Sequence, residues 1–387
     1  MANELGEITV SEPAELTVGG RSRATATVLG EELWFESEQA TMSANPELFA
    51  TALLPIAAGA GARLILDSPL DPVWTRNAAG ILPVWDEWWG YEPRLDRMIE
   101  APAAALDRAP RRAEAGLCFT LGVDSFHSLL RSEHRVDLLI FGLGYDVPLG
   151  DGPRLEAIQS SLRAVCEAIG CAAAVVRTNL REHTVGRHMD WERGHGGPVA
   201  ALGHACSGRI GELLVSASFP YFDAAPWGSH FRTDAGWSSS RLRVTHLGAE
   251  QRRAMKLAAL VDEEVVQRHL RVCWENRATT GNCGECEKCV RTMLVLSAYG
   301  ARERFPVFPD GPMLARVNAI EAVSPAVIEV YETLHGQLAE RRLRRAVSRL
   351  IARSDPQAAT GSRLRFVRRG FGAGSDGSTS PRRKRPV

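Results

Sequence analysis

The stretch CFTLGVDSFHSLL, residues 118–130, joins a short apolar segment to a turn and then to an apolar segment with helical spacing. A buried strand, a glycine-containing turn and a helix can direct several backbone N–H groups toward one point, where the helix dipole adds about half a positive charge. Gly122 permits close backbone approach, Thr120 and Ser125 supply hydroxyls, and Asp124 could cap the helix or hold Mg²⁺. The turn predicts a phosphate site, although a tight strand-to-helix connection would use the same residues.

From about residue 115, short apolar segments alternate with segments of helical periodicity. The segments GLCFT, VDLLIFGLG, AAAVVRTN and GELLVSAS have the length of buried strands. Strands that alternate with helices indicate an α/β fold, with a parallel sheet and helices on both faces. In such sheets ligands bind beyond the carboxyl ends of the strands, so we expect the functional residues in the loops that follow each strand.

The two ends of the chain differ from this central region, and we predict three units. Residues 1–110 form an N-terminal α+β unit of unknown role, with two or three antiparallel strands before residue 40. Residues 111–335 form the α/β domain. Residues 336–387 hold a basic amphipathic helix and then a tail rich in glycine, serine and arginine, which has too little apolar content to fold alone.

Composition limits the class of protein. The 387 residues include 46 Lys+Arg and 46 Asp+Glu, so the chain as a whole is not a polyanion binder. The N-terminus lacks the pattern of a secretion signal, and no apolar run approaches the roughly 20 residues that span a bilayer. We therefore expect a cytoplasmic protein with no membrane partner, and an oligomer is possible. The basic tail could bind a nucleic acid or an acidic partner, or could be an ordinary disordered terminus.

Four of the eight cysteines lie close together, with the spacing C-x9-C-x2-C-x2-C. A knuckle opened by Gly284 can bring four thiolates around zinc in a closed structural site. An iron–sulfur cluster is the minor alternative, and disulfides are a third. The predicted zinc ligands are Cys273, Cys283, Cys286 and Cys289. The remaining cysteines lie singly in apolar or mixed segments, which is typical of small buried residues: Cys118, Cys166, Cys171 and Cys206.

Together, the loop and the cysteine motif resemble the QueC-like (7-cyano-7-deazaguanine synthase-like) family of N-type ATP pyrophosphatases, or PP-loop proteins. The family pattern S-G-G-x-D-S reads TLGVDS here, with leucine in place of the first glycine. The resemblance covers roughly residues 115–300. It implies a Rossmann-like (adenine nucleotide alpha hydrolase-like) domain, zinc at the four cysteines, and ATP with Mg²⁺ at the loop. The implied nucleotide-binding residues are Thr120, Leu121, Gly122, Val123, Asp124 and Ser125.

Polar residues near other strand ends extend the predicted site. Tyr145 follows the second strand and could approach the adenine or Mg²⁺, unless its loop is an ordinary turn. Ser216 follows the fourth strand and could line the nucleotide pocket. Lys256 could neutralise phosphate charge, or be a solvated helical lysine. We assign it to catalysis together with Asp124 and Ser125.

The family's substrate loop usually carries a G-Y-P-D-C-R-like run, but here the region reads SASFPYFDAAPWGSHF. It is the densest polar and aromatic loop in the chain, and such a composition suits a small-molecule pocket. The predicted substrate residues are Tyr221, Asp223, Trp227 and His230. The difference in sequence predicts a substrate other than a deazaguanine.

The predicted function is that of an ATP-dependent ligase. A carboxylate or amide of a small molecule or modified base would attack the α-phosphate of ATP, pyrophosphate would leave, and ammonia or another nucleophile would displace AMP. One alternative is a non-catalytic protein that binds a nucleotide or a partner on a degenerate loop, and Leu121 is the best argument for it. Another alternative is a tRNA- or nucleoside-modifying enzyme, which only the basic tail suggests.

Overall fold

One mostly parallel sheet runs through the protein. The structure is a computed structural model that describes residues 5–92, 98–105 and 110–354, and within these the sheet has eleven strands. The strands are β1 (Glu7–Val10), β2 (Ala14–Val18), β3 (Arg21–Val28), β4 (Glu31–Ser37), β5 (Arg63–Leu66), β6 (Ile99–Glu100), β7 (Glu114–Cys118), β8 (Leu138–Leu143), β9 (Ala172–Thr178), β10 (Ile210–Ser216) and β11 (Arg243–Leu247).

Helices connect most of the parallel strands. The α-helices of the described residues are α1 (Pro46–Ala60), α2 (Pro72–Trp89), α3 (Val123–Arg131), α4 (Gly152–Ile169), α5 (Trp191–Gly194), α6 (Gly196–Ala205), α7 (Arg253–Ala258), α8 (Glu264–His269), α9 (Glu287–Ala298), α10 (Met313–Ala319), α11 (Pro325–Gln337) and α12 (Arg341–Ser354). Their ends follow local sequence signals. Helix α4, for example, ends at Gly170, whose φ of +81° is the left-handed conformation that favours glycine.

The strand order is β11-β10-β7-β8-β9-β4-β3-β1-β5-β6, with β2 paired to β3. Strands β7 to β11 are mutually parallel, and the sequence predicts the first four of them, β7 to β10. Strand β7 lies between β8 and β10. The connection after β7 leads to β8 on one side, whereas the connection after β10 leads to β11 on the other side. The loops after β7 and β10 therefore lie side by side, at the kind of position where open α/β sheets bind ligands.

The N-terminal strands continue the same sheet. Four strands, rather than two or three, lie before residue 40, and β4 pairs antiparallel with β9 through Phe35↔Thr178 and Glu36↔Arg177. The Glu36 carboxylate is buried at this seam and contacts both Arg23, at 2.7 Å, and Arg177, at 3.1 Å. The strands on either side of the predicted boundary near residue 110 therefore belong to one continuous sheet. In this sheet β4 covers the edge that β9 would otherwise expose.

Alternate residues of the central strands enter two cores, one on each face of the sheet. Leu138 and Ile140 of β8 belong to the first core, which also contains residues of α1, α2 and α6. Leu139 and Phe141 belong to the second core, together with residues of α3, α4 and α9. This two-residue alternation is the geometry of a strand that is covered on both sides.

The C-terminal helices complete the second core. The predicted basic helix is α12, and its apolar face is buried there through Leu343, Val347 and Leu350. The predicted tail, residues 355–387, lies outside the described residues. Within the described residues, no helix combines the length and apolar character that crossing a bilayer demands.

Candidate functional site

The loop after β7 holds a leucine in an unusual conformation. Leu121 has a φ of +63°, a region that costs a residue other than glycine about 1–2 kcal/mol. Its side chain is 1% exposed and packs in the second core. Its carbonyl accepts a hydrogen bond from the backbone N–H of Arg271 at 2.8 Å. Core packing and this hydrogen bond hold the residue in place where the family pattern has glycine.

Helix α3 begins directly after this loop, with Gly122 as its N-cap. No side chain caps the first turn, so its backbone N–H groups can donate to an incoming acceptor. Val123 is buried in the second core, and Ser125 directs its hydroxyl to the Gly122 carbonyl at 3.1 Å. Thr120 is exposed at the rim. The exposed hydroxyl of this loop is therefore that of Thr120 rather than that of Ser125.

Asp124 on α3 contacts two cations. One carboxylate oxygen accepts a hydrogen bond from Arg253, and Oδ1 lies 3.2 Å from Nζ of Lys256. Lys256 is 1% exposed, and its Nζ also donates to the carbonyl of Ala217 at 2.7 Å. Because Ala217 directly follows β10, one buried amino group connects the loops after β7 and β10.

Ser216 lies at the same edge of the sheet. Its Oγ is 2.9 Å from Oγ of Ser128 on α3. A Cβ placed on Gly248 would lie 3.6 Å from Ser128 Oγ and 3.7 Å from Lys256 Nζ, so both of these side chains border Gly248. The structure therefore brings together three of the predicted residues, Asp124, Ser216 and Lys256.

Several basic groups crowd around this point. Burial, followed by repulsion from Arg253, lowers the pKa of Lys256 to about 7 and that of Lys288 to about 8. Burial and the charge of Arg291 lower the pKa of Arg253 to about 9. Cations that are desolvated and repel one another are stabilised by an anion, so the electrostatics of this cluster favour a negatively charged ligand.

The four predicted metal ligands form one buried cluster. Their Sγ atoms all lie within 4.8 Å of one another, and two Sγ pairs are 3.9 Å apart. Ligands about 2.3 Å from a tetrahedral zinc ion would be separated by about 3.8 Å, so the arrangement fits a closed four-thiolate site. Gly284 has a φ of +71° in the predicted knuckle. The cluster could hold a metal ion such as zinc: Cys273, Cys283, Cys286 and Cys289.

The metal cluster is joined to the loop after β7. The buried side chain of Asn282 accepts hydrogen bonds from the backbone N–H groups of Val272, at 2.8 Å, and Cys273, at 3.2 Å. The neighbouring Arg271 is the residue whose N–H binds the Leu121 carbonyl. The segment that carries the first cysteine therefore supports the strained residue of the loop.

Two predicted substrate residues, Tyr221 and His230, are linked by an aromatic stack. Tyr221 is 47% exposed and packs edge-on against Phe231, which stacks on His230 with ring centroids 4.4 Å apart. His230 is buried against Trp88, and burial together with the nearby charge of His246 lowers its pKa to about 4. A neutral imidazole is therefore expected at neutral pH.

The other two predicted substrate residues contact different neighbours. Asp223 forms an ion pair with Arg252 at 2.7 Å, near the surface. Trp227 packs edge-on against His195, with centroids 5.6 Å apart. The loop after β10 thus has the predicted position, but its four residues do not converge on one point.

Tyr145 is held on the opposite face of the sheet from α3. Its hydroxyl donates to the Pro198 carbonyl of α6 at 2.8 Å, and its ring packs against Trp191. Burial raises the pKa of its phenol. The structure does not bring Tyr145 to Asp124, because packing under α6 fixes the direction of the ring.

Sequence reasoning missed several polar residues. Asp234 is buried and accepts hydrogen bonds from Ser229 Oγ at 2.8 Å, His246 at 2.7 Å and the His230 N–H at 3.0 Å. No local sequence motif predicts these contacts of Asp234, because His246 reaches Asp234 from a separate element, β11. Arg253 was also missed, although its position three residues before Lys256 on a helix places the two on one face.

Two cysteines differ from their predicted environment. Cys166 and Cys171 are partly exposed, and their Sγ atoms are 3.7 Å apart. The chain reverses at Gly170, which brings the end of α4 beside the start of β9. Burial is confirmed for Cys118 and Cys206, but the prediction of a single buried residue is wrong for this pair.

No protein-family model, curated protein or solved structure matches the chain. The assignment of a function therefore depends on the residues of the site itself.

Proposed function

We propose that the protein binds ATP with its diphosphate against the loop after β7, and that it uses ATP to activate an acyl group. The observation that carries the proposal is the buried Nζ of Lys256, which contacts Asp124 and the Ala217 carbonyl between the loops after β7 and β10. The uncapped first turn of α3 and the neighbouring Arg253 supply further positive potential. The sequence resemblance to the QueC-like proteins, and to their Rossmann-like domain, points the same way.

The proposed chemistry needs positioning and charge neutralisation rather than a covalent enzyme intermediate. An oxygen of a substrate carboxylate attacks the α-phosphorus of ATP, the bond to the bridging oxygen breaks, and pyrophosphate leaves with its electron pair. Ammonia then attacks the acyl carbon of the adenylate, AMP leaves, and one proton is released as the amide forms. Lys256 and Arg253 stabilise the charge that develops on pyrophosphate.

The substrate is proposed to bind beside the nucleotide, against the loop after β10. That loop offers the exposed ring of Tyr221 and the aromatic stack beneath it. Asp223 follows Tyr221 closely in the chain and forms an ion pair with Arg252 near the surface. A charged substrate could replace one partner of this ion pair. A small carboxylate or a modified base suits this mixture of aromatic and charged groups.

Zinc is proposed as a structural ion of the four-thiolate cluster. When bound, it would crosslink the segment before α9 to α9 itself, with no coordination position left for water. The residues that would hold it are buried, and the Asn282 contacts fix the backbone of the first ligand. Its proposed role is to support the loop after β7.

Mg²⁺ is proposed to arrive on the phosphates as part of the substrate. Both carboxylate oxygens of Asp124 already contact cations, Arg253 and Lys256, so this donor set does not fit a direct Mg²⁺ ligand. The predicted coordination of Mg²⁺ by Asp124 is therefore not carried into the proposed mechanism.

The experiment is an assay of pyrophosphate release from ATP across a panel of small carboxylates with ammonium present, followed by mass spectrometry of the products. The zinc-loaded wild type should release pyrophosphate and AMP with at least one acid. Lys256→Met should lose this activity, whereas Arg163→Gln, at an exposed position on α4, should retain it. Equal activity of wild type and Lys256→Met would argue against the site.

The second candidate is a protein that binds a nucleotide without turnover. The two contacts of Asp124 favour it, because they leave this carboxylate no free oxygen for a catalytic ion. Calorimetry with ATP distinguishes the two candidates. Binding that depends on Lys256, with no pyrophosphate release from any acid, would support the non-catalytic protein.

A further inference from the structure

Two thiols meet where helix α4 ends and strand β9 begins. Cys166 and Cys171 are both free, and their Sγ atoms are 3.7 Å apart. Both residues are partly exposed, whereas the other six cysteines of the chain are buried. A disulfide joins its sulfur atoms at about 2.05 Å, so these two would have to approach each other by under about 2 Å.

The turn at the end of α4 produces this contact. The backbone N–H groups of Gly170 and Cys171 both donate to the Cys166 carbonyl, at 2.8 Å and 3.3 Å. Gly170 has a φ of +81°, the left-handed conformation of a helix that ends in a Schellman motif. In that motif an apolar contact commonly joins the side chains at the two positions that are cysteines here. The local fold therefore holds two thiols where other helices have two apolar side chains.

The backbone on both sides of the turn is fixed. Val165, next to Cys166, is fully buried in the second core. On the other side, Ala172 pairs with Leu138 of β8, and its N–H donates to the Asp137 carbonyl at 3.0 Å. The two cysteines therefore cannot separate without disturbing the end of the helix or the start of the strand.

The environments of the two thiols differ. The hydrogen bond between them lowers the pKa of Cys171 and raises that of Cys166. Burial and the charge of Asp137 oppose part of this effect at Cys171, and Asp137 is itself paired with Arg135 at 2.6 Å. Oxidants react with the thiolate rather than with the thiol. Cys171 is therefore the better nucleophile of the pair.

We propose that Cys166 and Cys171 form a reversible disulfide when the protein meets a hydroperoxide, with Cys171 as the attacking residue and Cys166 as the resolving residue. Redox-sensor cysteines are accessible and often lie next to a resolving cysteine. The pair lies at the amino end of β9, whereas the proposed nucleotide site lies beyond the carboxyl ends of the parallel strands. The inference therefore does not depend on the proposed function.

The proposed reaction has two steps. The Cys171 thiolate attacks one oxygen of hydrogen peroxide, the O–O bond breaks, and the leaving hydroxide takes up the proton that Cys171 gave up, which forms water. The sulfur of Cys166 then attacks the sulfenic acid on Cys171. The S–O bond breaks, the hydroxide leaves with the Cys166 proton as a second water, and the S–S bond forms. The two thiols together lose two electrons, and the peroxide gains them.

The test uses the zinc-loaded full chain, which is reduced, freed of reductant and treated with a small molar excess of hydrogen peroxide. Free thiols are then blocked with N-ethylmaleimide, and the protein is digested with trypsin. Trypsin cuts after Arg163 and Arg177, so the peptide of residues 164–177 contains both cysteines and no other. Mass spectrometry distinguishes the disulfide form of this peptide, which carries no alkyl group, from the form with two alkylated thiols.

We expect the disulfide in the peptide from wild type, and two alkyl groups when dithiothreitol is added before blocking. Cys166→Ser should stop at a sulfenic acid on Cys171, which dimedone traps. Cys171→Ser should react with peroxide at least about tenfold more slowly than Cys166→Ser. The matched control, Cys206→Ala, changes a buried cysteine and should form the disulfide at the wild-type rate.

Thermal unfolding before treatment verifies that each variant is folded. A wild-type peptide that stays doubly alkylated while other cysteines are oxidised would overturn the proposal. So would a disulfide between two chains, or a sulfenic acid that persists on Cys171 of the wild type. Faster oxidation of Cys171→Ser than of Cys166→Ser would overturn the assignment of the two roles.

Discussion

Nζ of Lys256 lies 3.2 Å from Oδ1 of Asp124, and the two side chains are 1% and 13% exposed. A buried amino group with one carboxylate partner, and with Arg253 on the other carboxylate oxygen, is in a site where positive charge is only partly compensated. A polyphosphate would complete that compensation. The same amino group also contacts Ala217, so a ligand that engages it would touch the loops after both β7 and β10.

Binding of ATP should be coupled to proton uptake at slightly alkaline pH. The pKa of Lys256 in the free protein is lowered to about 7, so its amino group is mostly neutral at about pH 8. A phosphate beside it raises the pKa, and the group must then take up a proton as ATP binds. Calorimetry in two buffers with different ionisation enthalpies measures this uptake. It should fall as the pH is lowered below about 7, where the group is already protonated.

The control for this linkage is Lys256→Met, which keeps an unbranched side chain of similar size but cannot be protonated. When ATP binds to this variant at about pH 8, proton uptake should be smaller than in the wild type by the amount that Lys256 takes up there. An unchanged uptake would show that another group is responsible, and the assignment of Lys256 to the phosphate site would then fail.

Leu121→Gly should weaken folding more than it changes nucleotide binding. The leucine side chain is buried in the second core, so its removal loses packing, while relief of the left-handed conformation returns part of the cost. The net loss in free energy of unfolding should be about 1–3 kcal/mol. Denaturant unfolding measures it, and the ATP affinity of the folded variant should stay within about threefold. A large gain in affinity would mean that the leucine obstructs the loop.

One metal ion per chain should be retained at the four-cysteine cluster. Cys286→Ser removes one thiolate from a closed site, and it should lose most of the metal and lower the midpoint of unfolding. Cys206→Ala provides the matched control, since that thiol is buried away from the cluster. Elemental analysis of the purified proteins measures the metal content of the wild type and of each variant. Equal metal content in Cys286→Ser and wild type would exclude this cluster as the site.

In the zinc-loaded native protein, Cys166 and Cys171 should be the first of the eight cysteines to react with a thiol reagent. Both are partly exposed, whereas the other six are buried. The side-chain hydrogen bond between Cys166 and Cys171 lowers the pKa of Cys171, which should therefore react faster as its thiolate. Peptide mapping after brief labelling identifies the sites. Early labelling at Cys118 or Cys206 would contradict the burial pattern.

The sequence predicted the features that local patterns specify. Periodicity located β7 to β10 and the helices between them, and Gly170 marked the end of α4 because a left-handed C-cap favours glycine. The spacing of the four cysteines predicted their convergence, because metal ligands must meet at one point. Contacts between residues that are far apart in the sequence could not be predicted from such local patterns. The pairing of β4 with β9 joins residues about 140 positions apart and left no local signal.

The residues of the candidate site also divide into those that local sequence patterns predict and those that only the fold brings together. Asp124 belongs to a recognisable turn, and Lys256 was a candidate through its charge, but only the fold reveals that the two are in contact. Tyr145 follows a strand as predicted, yet packing against α6 turns it away from α3. The Asp234–His246 contact depends on how β11 and the preceding turn are arranged in space, so no motif could predict it.

The most direct test of the central claim is a crystal structure of the zinc-loaded protein soaked with ATP and Mg²⁺. We expect a β- or γ-phosphate oxygen within hydrogen-bonding distance, about 3 Å, of Lys256 Nζ, with further oxygens facing the first-turn amides of α3. An ATP molecule bound elsewhere, or a loop after β7 that stays free of phosphate at millimolar ATP, would contradict the account.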